Sequence, residues 1–157
     1  MKTLRVFFIV VVLGLIGASL AACSSDVPGQ LTDAEKLWKD QGLANYDFTL
    51  ERQCFCPEDY RGPVDVQVRN GSAVSVTYVS TGAAVTDDRF AEADTIDKLF
   101  GILKDAYSGK NSFDQKADSV SVTYDAERGF PGAFFIDISQ QIADEENGYT
   151  VANFVPR

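Results

Sequence analysis

The chain has no histidine among its 157 residues. That excludes Ser-His-Asp and Cys-His nucleophile systems and every metal site built on imidazole. No glycine-rich phosphate-cradling loop occurs, the glycines standing singly at turns. Base is scarce as well: lysine and arginine total 14 against 23 aspartates and glutamates. An acidic body of this kind is repelled by nucleic-acid phosphates, so no nucleic-acid partner is expected. No recognisable catalytic motif is left, no cofactor is expected, and the chain reads as non-enzymatic.

Long apolar runs are also rare, and the one present is informative. Lys2 and Arg5 precede an apolar stretch, Val6 to Leu20, which closes on Leu20-Ala21-Ala22-Cys23. A basic head, an apolar segment and small residues at the cut describe a secretory signal peptide. Leu-Ala-Ala-Cys resembles the lipobox of bacterial lipoproteins, which implies cleavage before Cys23 and lipid on its sulfur and new amino group. The competing reading is an uncleaved anchor over residues 6–22. That run is short for a span of ~20 residues and has no basic stop-transfer cluster behind it. Two or more acyl chains suffice for stable attachment. The expected address is therefore the bacterial cell envelope. Ser24 and Ser25 stand where an aspartate would resemble an inner-membrane retention signal. In a Gram-negative host the serines favour the outer membrane facing the periplasm; in a Gram-positive host the expected place is the outer face of the cell membrane. Without Lys2 and Arg5 the mature chain has 12 bases against 23 acids, a net charge of −11.

The expected organisation is a leader (1–22), a lipidated tether (23–30) and one globular domain (31–157). Thr32 to Glu35 reads as a capping box opening a short helix, with Trp38 pinning it to a core and Gly42 as its left-handed stop. From Tyr46 the period becomes two: Tyr46, Phe48 and Leu50, then Val64, Val66 and Val68, then Val74, Val76 and Tyr78. These apolar positions are all even-numbered, so they share a face only if paired residue numbers sum to an even value. That predicts a three-residue turn, Arg69-Asn70-Gly71, pairing Val66 with Val74 and Val64 with Val76. Residues 80–93 read as loop. Asp94 or Thr95 caps a second helix with the stripe Ile96, Leu99, Phe100, Leu103, Ala106 and Tyr107, ended by Gly109. Three further strands follow, around Val120–Tyr124, Phe134–Ile138 and Tyr149–Phe154. The fold class is α+β: an antiparallel sheet of about six strands in αβββ-αβββ order, with two helices on one face.

The residues resemble a family of exported bacterial proteins, often lipoproteins, known as domain of unknown function 6174. The resemblance rests on Trp38 ahead of Asn45-Tyr46-Asp47-Phe48-Thr49-Leu50, then Cys54-Phe55-Cys56-Pro57 and Val66-Gln67-Val68-Arg69-Asn70-Gly71. It continues through Thr95-Ile96-Asp97-Lys98-Leu99-Phe100, Gly129-Phe130-Pro131, Ile136-Asp137 and the acidic segment before Gly148-Tyr149. It covers most of the mature chain and implies no activity.

Cys54 and Cys56 are the remaining thiols once Cys23 is lipidated. In an oxidising compartment an even pair reads first as a local disulfide. In an extended strand the two Cα atoms lie near the ~6.8 Å limit for such a bond, so a bend is needed. The same pair is a redox candidate, or two ligands of a metal whose set acids would complete. The acid groups Asp87-Asp88, Asp125 with Glu127, and Asp144-Glu145-Glu146 are weak metal candidates, since no EF-hand spacing occurs. They fit solvated turns better. Asp137 is expected on the wet face, or as the acceptor that holds a neighbouring turn. The function read from all this is a membrane-anchored envelope lipoprotein, a non-catalytic binding or structural module. Its polar sheet face or free edge would meet an envelope protein. The alternative is a thiol-redox or metal-handling protein using Cys54 and Cys56.

Overall fold

A computed structural model describes residues 27–142 and 144–157 of the chain. The leader, Cys23 and residues 24–26 lie outside the described residues. No helix among the described residues is long and apolar enough to cross a membrane. The elements are α1 (Val27–Asp40), β1 (Tyr46–Cys54), β2 (Val64–Arg69), β3 (Ser72–Tyr78), α2 (Ile96–Ser108), β4 (Ser119–Tyr124), β5 (Pro131–Asp137) and β6 (Asn147–Pro156). The six strands form one antiparallel sheet in the order β3-β2-β1-β6-β5-β4. The alternating runs thus produce the α+β fold that their period predicts. Each half is a helix followed by a meander, and the halves join where β1 pairs with β6.

One core runs under both helices. Tyr46, Phe48, Leu50 and the three valines of β2 share it with Leu31, Ala34 and Trp38 of α1 and with Ile96, Leu99, Phe100, Leu103 and Ala106 of α2. A fully buried side chain of this size stabilises the fold by about 1.5–3 kcal/mol, so the layer between sheet and helices dominates stability. Trp38 is 2% exposed and meets the rings of Tyr46, Phe130 and Phe154 edge-on. Gly129 lies under α1: a Cβ there would come within 2.4 Å of the Ala34 carbonyl oxygen, and its φ is +79°. Only glycine meets both demands.

Three details depart from the sequence reading. First, the chain is already helical at Val27, the first described residue, so residues 27–30 are helix and not tether. Proline in a first helical turn has its φ already set and lacks an N–H that the helix would leave unpaired anyway. Thr32 is therefore inside the helix, its hydroxyl donating to the Pro28 carbonyl at 3.0 Å, and it caps nothing. Glu35 pairs with Lys39 (2.6 Å) and Lys104 (3.0 Å) instead of reaching back.

Second, the β2–β3 turn is the two-residue Asn70-Gly71, both with positive φ (52° and 75°), and Arg69 pairs with Ser72. The even-sum requirement still holds, because Val66 faces Val76 and Val64 faces Tyr78. A β-bulge supplies the extra residue: the register shifts between Gln67 and Val68, and Val74 is pushed out to 60% exposure. Third, a second bulge on β6 shifts the register between Asp47 and Thr49, with Asn153 at φ 52°. It brings Phe154 back to the helix side, where it stacks on Phe130 and Tyr46.

α2 forms as its stripe predicts. Thr95 is the N-cap, accepting from the Lys98 N–H at 3.2 Å, and Gly109 ends the helix at φ 81°. Its buried N-terminal N–H, on Ile96, donates to the Tyr46 hydroxyl at 3.1 Å. Burial is the main reason the Tyr46 phenol is pushed up to about 12.

Candidate functional site

At the end of the sheet where β1 finishes and β6 starts, the last turn of α2 overhangs a cavity of about 330 Å³. Its lining includes Arg52, Glu92, Lys110, Phe113, Glu145 and Tyr149. Arg52 continues the even-numbered face of β1, past Leu50, beyond the reach of the apolar layer. Its Nε and Nη2 donate to Asn147 Oδ1 at 3.2 and 2.9 Å, and Nη1 pairs with Glu92 at 2.9 Å. The guanidinium lies 5.6 Å from the centre of the Tyr149 ring, whose hydroxyl donates to Glu92 at 3.1 Å. Burial, above all, holds the Tyr149 phenol well above its ordinary range. The four groups satisfy one another, and none is a free base beside a nucleophile. The polar wall ties the end of β1 to the start of β6 and to Glu92.

The sequence-flagged acids mostly hold turns. Glu145, 7% exposed, accepts the N–H groups of Ile138 (3.1 Å) and Ser139 (2.7 Å), fixing the chain after β5. The turn acceptor there is Glu145, not Asp137. Asp137 Oδ1 is enclosed with no partner. Burial first, then the charges of Glu145, Glu146 and Asp118, raises the Asp137 carboxyl above the usual carboxylate range. Asp125 Oδ1 accepts from the N–H groups of Glu127 and Arg128, at 3.1 and 2.7 Å. Asp87 and Asp59 both pair with Arg89, whose guanidinium lies over the Tyr60 ring. Among the described residues no three Cys, Asp or Glu side chains converge so as to hold a metal ion, and Asp144, Glu145 and Glu146 form no such set.

Cys54 and Cys56 have their Sγ atoms at bonding distance and their Cα atoms 5.3 Å apart. The bend this requires comes at the strand end, where Cys54 is the last β1 residue and faces Asn147 of β6. Phe55, between them, is 80% exposed, the most exposed large apolar side chain among the described residues. Alternation gives no hint of it. The available signal was the bond itself: a residue enclosed between two linked cysteines sits on a tight tip, where its side chain has no core to enter.

The two sheet edges differ. β3 is blunted by its bulge and by the returning segment 83–85, which places Ala84 opposite Thr77 and gives backbone bonds from Tyr78 N to Ala83 O (2.9 Å) and Val85 N to Val76 O (2.9 Å). β4 pairs with β5 on one side. Among the described residues no strand pairs with its other side. Ser119, Ser121 and Thr123 are exposed along it, and no lysine or proline interrupts it. The polar sheet face carries satisfied groups: Asp47 between Arg69 and Arg157 (both 2.7 Å), and Thr49 between Asp65 and Asn153. The Arg69 bond, ahead of the others, holds the Asp47 carboxyl below its ordinary value.

No curated protein and no solved structure matches the chain. A family model does, over residues 30–156, and by it the chain belongs to the Family of unknown function (DUF6174).

Proposed function

We propose that the protein is a bacterial envelope lipoprotein, anchored through lipid on Cys23, whose domain binds an extended segment of another envelope protein and catalyses nothing. The observation that carries the binding mode is the unpaired edge of β4. Folded proteins blunt their sheet edges with charge, proline, bulges or cover, because an open ladder pairs with any extended chain. Here β3 is blunted by its own bulge and by a returning segment, whereas along β4 the one irregularity, a register shift between Thr123 and Tyr124, places its extra residue on β5 and leaves the outer ladder open among the described residues. A six-residue edge with hydroxyl side chains on one face suits strand addition, in which main-chain bonds supply affinity and alternate side chains supply selectivity. The anchoring half of the reading is supported by the basic head, apolar run and Leu20-Ala21-Ala22-Cys23 of the leader.

The test places a photocrosslinking residue at Ser121 and, in a separate protein, at Thr77 of the covered edge, in intact cells. Adducts to one protein partner from position 121, mapped to an extended stretch and lost when Thr123 is replaced by lysine, support the reading. Equal adducts from both edges, or adducts indifferent to Thr123→Lys, defeat it.

A further inference from the structure

Nine large apolar side chains are exposed among the described residues, and five of them, Phe55, Tyr60, Val79, Phe113 and Ile142, lie on loops at one end of the sheet. These are the β1–β2 connection, the turn after β3, the loop before β4 and the β5–β6 loop. The loops at the other end, 41–45, 70–71 and 125–130, carry none of the nine. Isolated exposed apolar residues are ordinary, but their gathering at one end is not. Phe55 is held outward by the Cys54–Cys56 link, so exposing it loses little further conformational freedom on contact.

The start of α1 lies beside this same end. The groove along its first turns, lined by Pro28, Leu31, Lys104 and Tyr107, shares Asp105 and Lys110 with the cavity under α2. Val27, the first described residue of α1, is four positions after Cys23. Four residues span at most about 14 Å when fully extended.

We infer that this end of the domain lies against the bilayer, its apolar loop residues entering the boundary between headgroups and acyl chains. The inference rests on the proposed lipid at Cys23. With so short a link, the domain cannot stand clear of the membrane that holds the lipid. The end nearest the link is also the one with unburied aromatic surface. Attraction of charge does not drive the contact: Arg61, Lys110 and Lys116 share these loops with Glu58, Asp59, Asp114, Asp118, Asp144 and Glu146. The contact therefore gains nothing from anionic lipid, unlike that of a polybasic patch. The polar sheet face and the β4 edge then stand upright from the membrane, open to a partner.

The test uses the full lipidated protein in phosphatidylcholine vesicles carrying bromine high on the acyl chains. Phe55→Trp and Phe113→Trp report from the apolar end and Glu127→Trp from the other, with native buried Trp38 as a common background. Tryptophan fluorescence at 55 and 113 is expected to fall at least twofold against unbrominated vesicles, with 127 unchanged and with no deeper quenching when anionic lipid is added. If intact mass confirms the lipid but 55, 113 and 127 are quenched alike or not at all, the inference is overturned and the lipoprotein reading survives. A protein that carries no lipid on Cys23 overturns both. Blue-shifted, unquenched fluorescence that depends on protein concentration assigns the surface to a second copy of the chain and also overturns it.

Discussion

β2 and β4 are six residues each, Val-Asp-Val-Gln-Val-Arg and Ser-Val-Ser-Val-Thr-Tyr, and both alternate apolar with polar. In β2 the valines at 64, 66 and 68 are wholly buried, while in β4 Val120, Val122 and Tyr124 are only half-buried. The difference is position. β2 lies between β3 and β1 under the helices, and β4 is the outermost strand. Alternation determines which face a side chain takes, and sheet order determines how deep that face lies. The inner strands thereby make the dry layer, and on the proposed function the outer strand keeps its ladder for recognition.

Substitutions can break or sharpen this contrast. Val66→Ala removes side-chain volume from a site that cannot collapse and is expected to cost about 2–3 kcal/mol, read by denaturant unfolding. Tyr46→Phe tests the same layer through a polar atom. It leaves the Ile96 N–H buried without its acceptor and is expected to cost about 1–3 kcal/mol. Its pH profile supplies a second readout. The folded phenol, pushed up to about 12, lies above the unfolded value, so wild-type stability is complete below about pH 10 and falls as pH rises towards 12. The phenylalanine variant should lose Tyr46's share of that alkaline fall, while the shares of other raised phenols, Tyr124 and Tyr149 among them, remain.

Replacing Cys54 and Cys56 together with serine acts outside the layer. The loop they close holds a single residue, so the unfolded chain gains little freedom and the expected loss is about 1.5 kcal/mol. Retained fold with abolished envelope function in that variant would favour thiol chemistry over binding at β4. Val122→Ala, on the half-buried strand, should cost the least, about 0.5–1 kcal/mol. A cost equal to that of Val66→Ala would show that something covers β4 after all.

Much of this was legible in the residues, because period and parity are local properties. The αβββ-αβββ order, the inward faces of β1, β2, β4 and β5 and both ends of α2 follow from spacing and capping chemistry. Parity correctly required an even-sum pairing in the β2–β3 hairpin, yet it could not say whether the odd residue sits in the turn or in a bulge. Asn70-Gly71 accepts both positive φ angles and so releases the bulge to Val74. The start of α1 was misread because Pro28-Gly29 punctuates a loop as well as it opens a helix. The strand order was beyond reach: it depends on β1 meeting β6 across the whole domain. So were the Arg52 network and the outward Phe55, which exist only where β1 outruns its cover.

The β1–β6 pairing also has a consequence in time. Each meander closes through short connections, but Thr49 and Asn153, bonded across the central seam, are 104 positions apart. Loop closure over such a distance is slow, and its contacts are rewarded only after both meanders exist. Until residues 147–156 have been synthesised, β1 has no neighbour on one side, and the sheet waits open along its midline. The middle of the finished sheet is thus the last part of it to form.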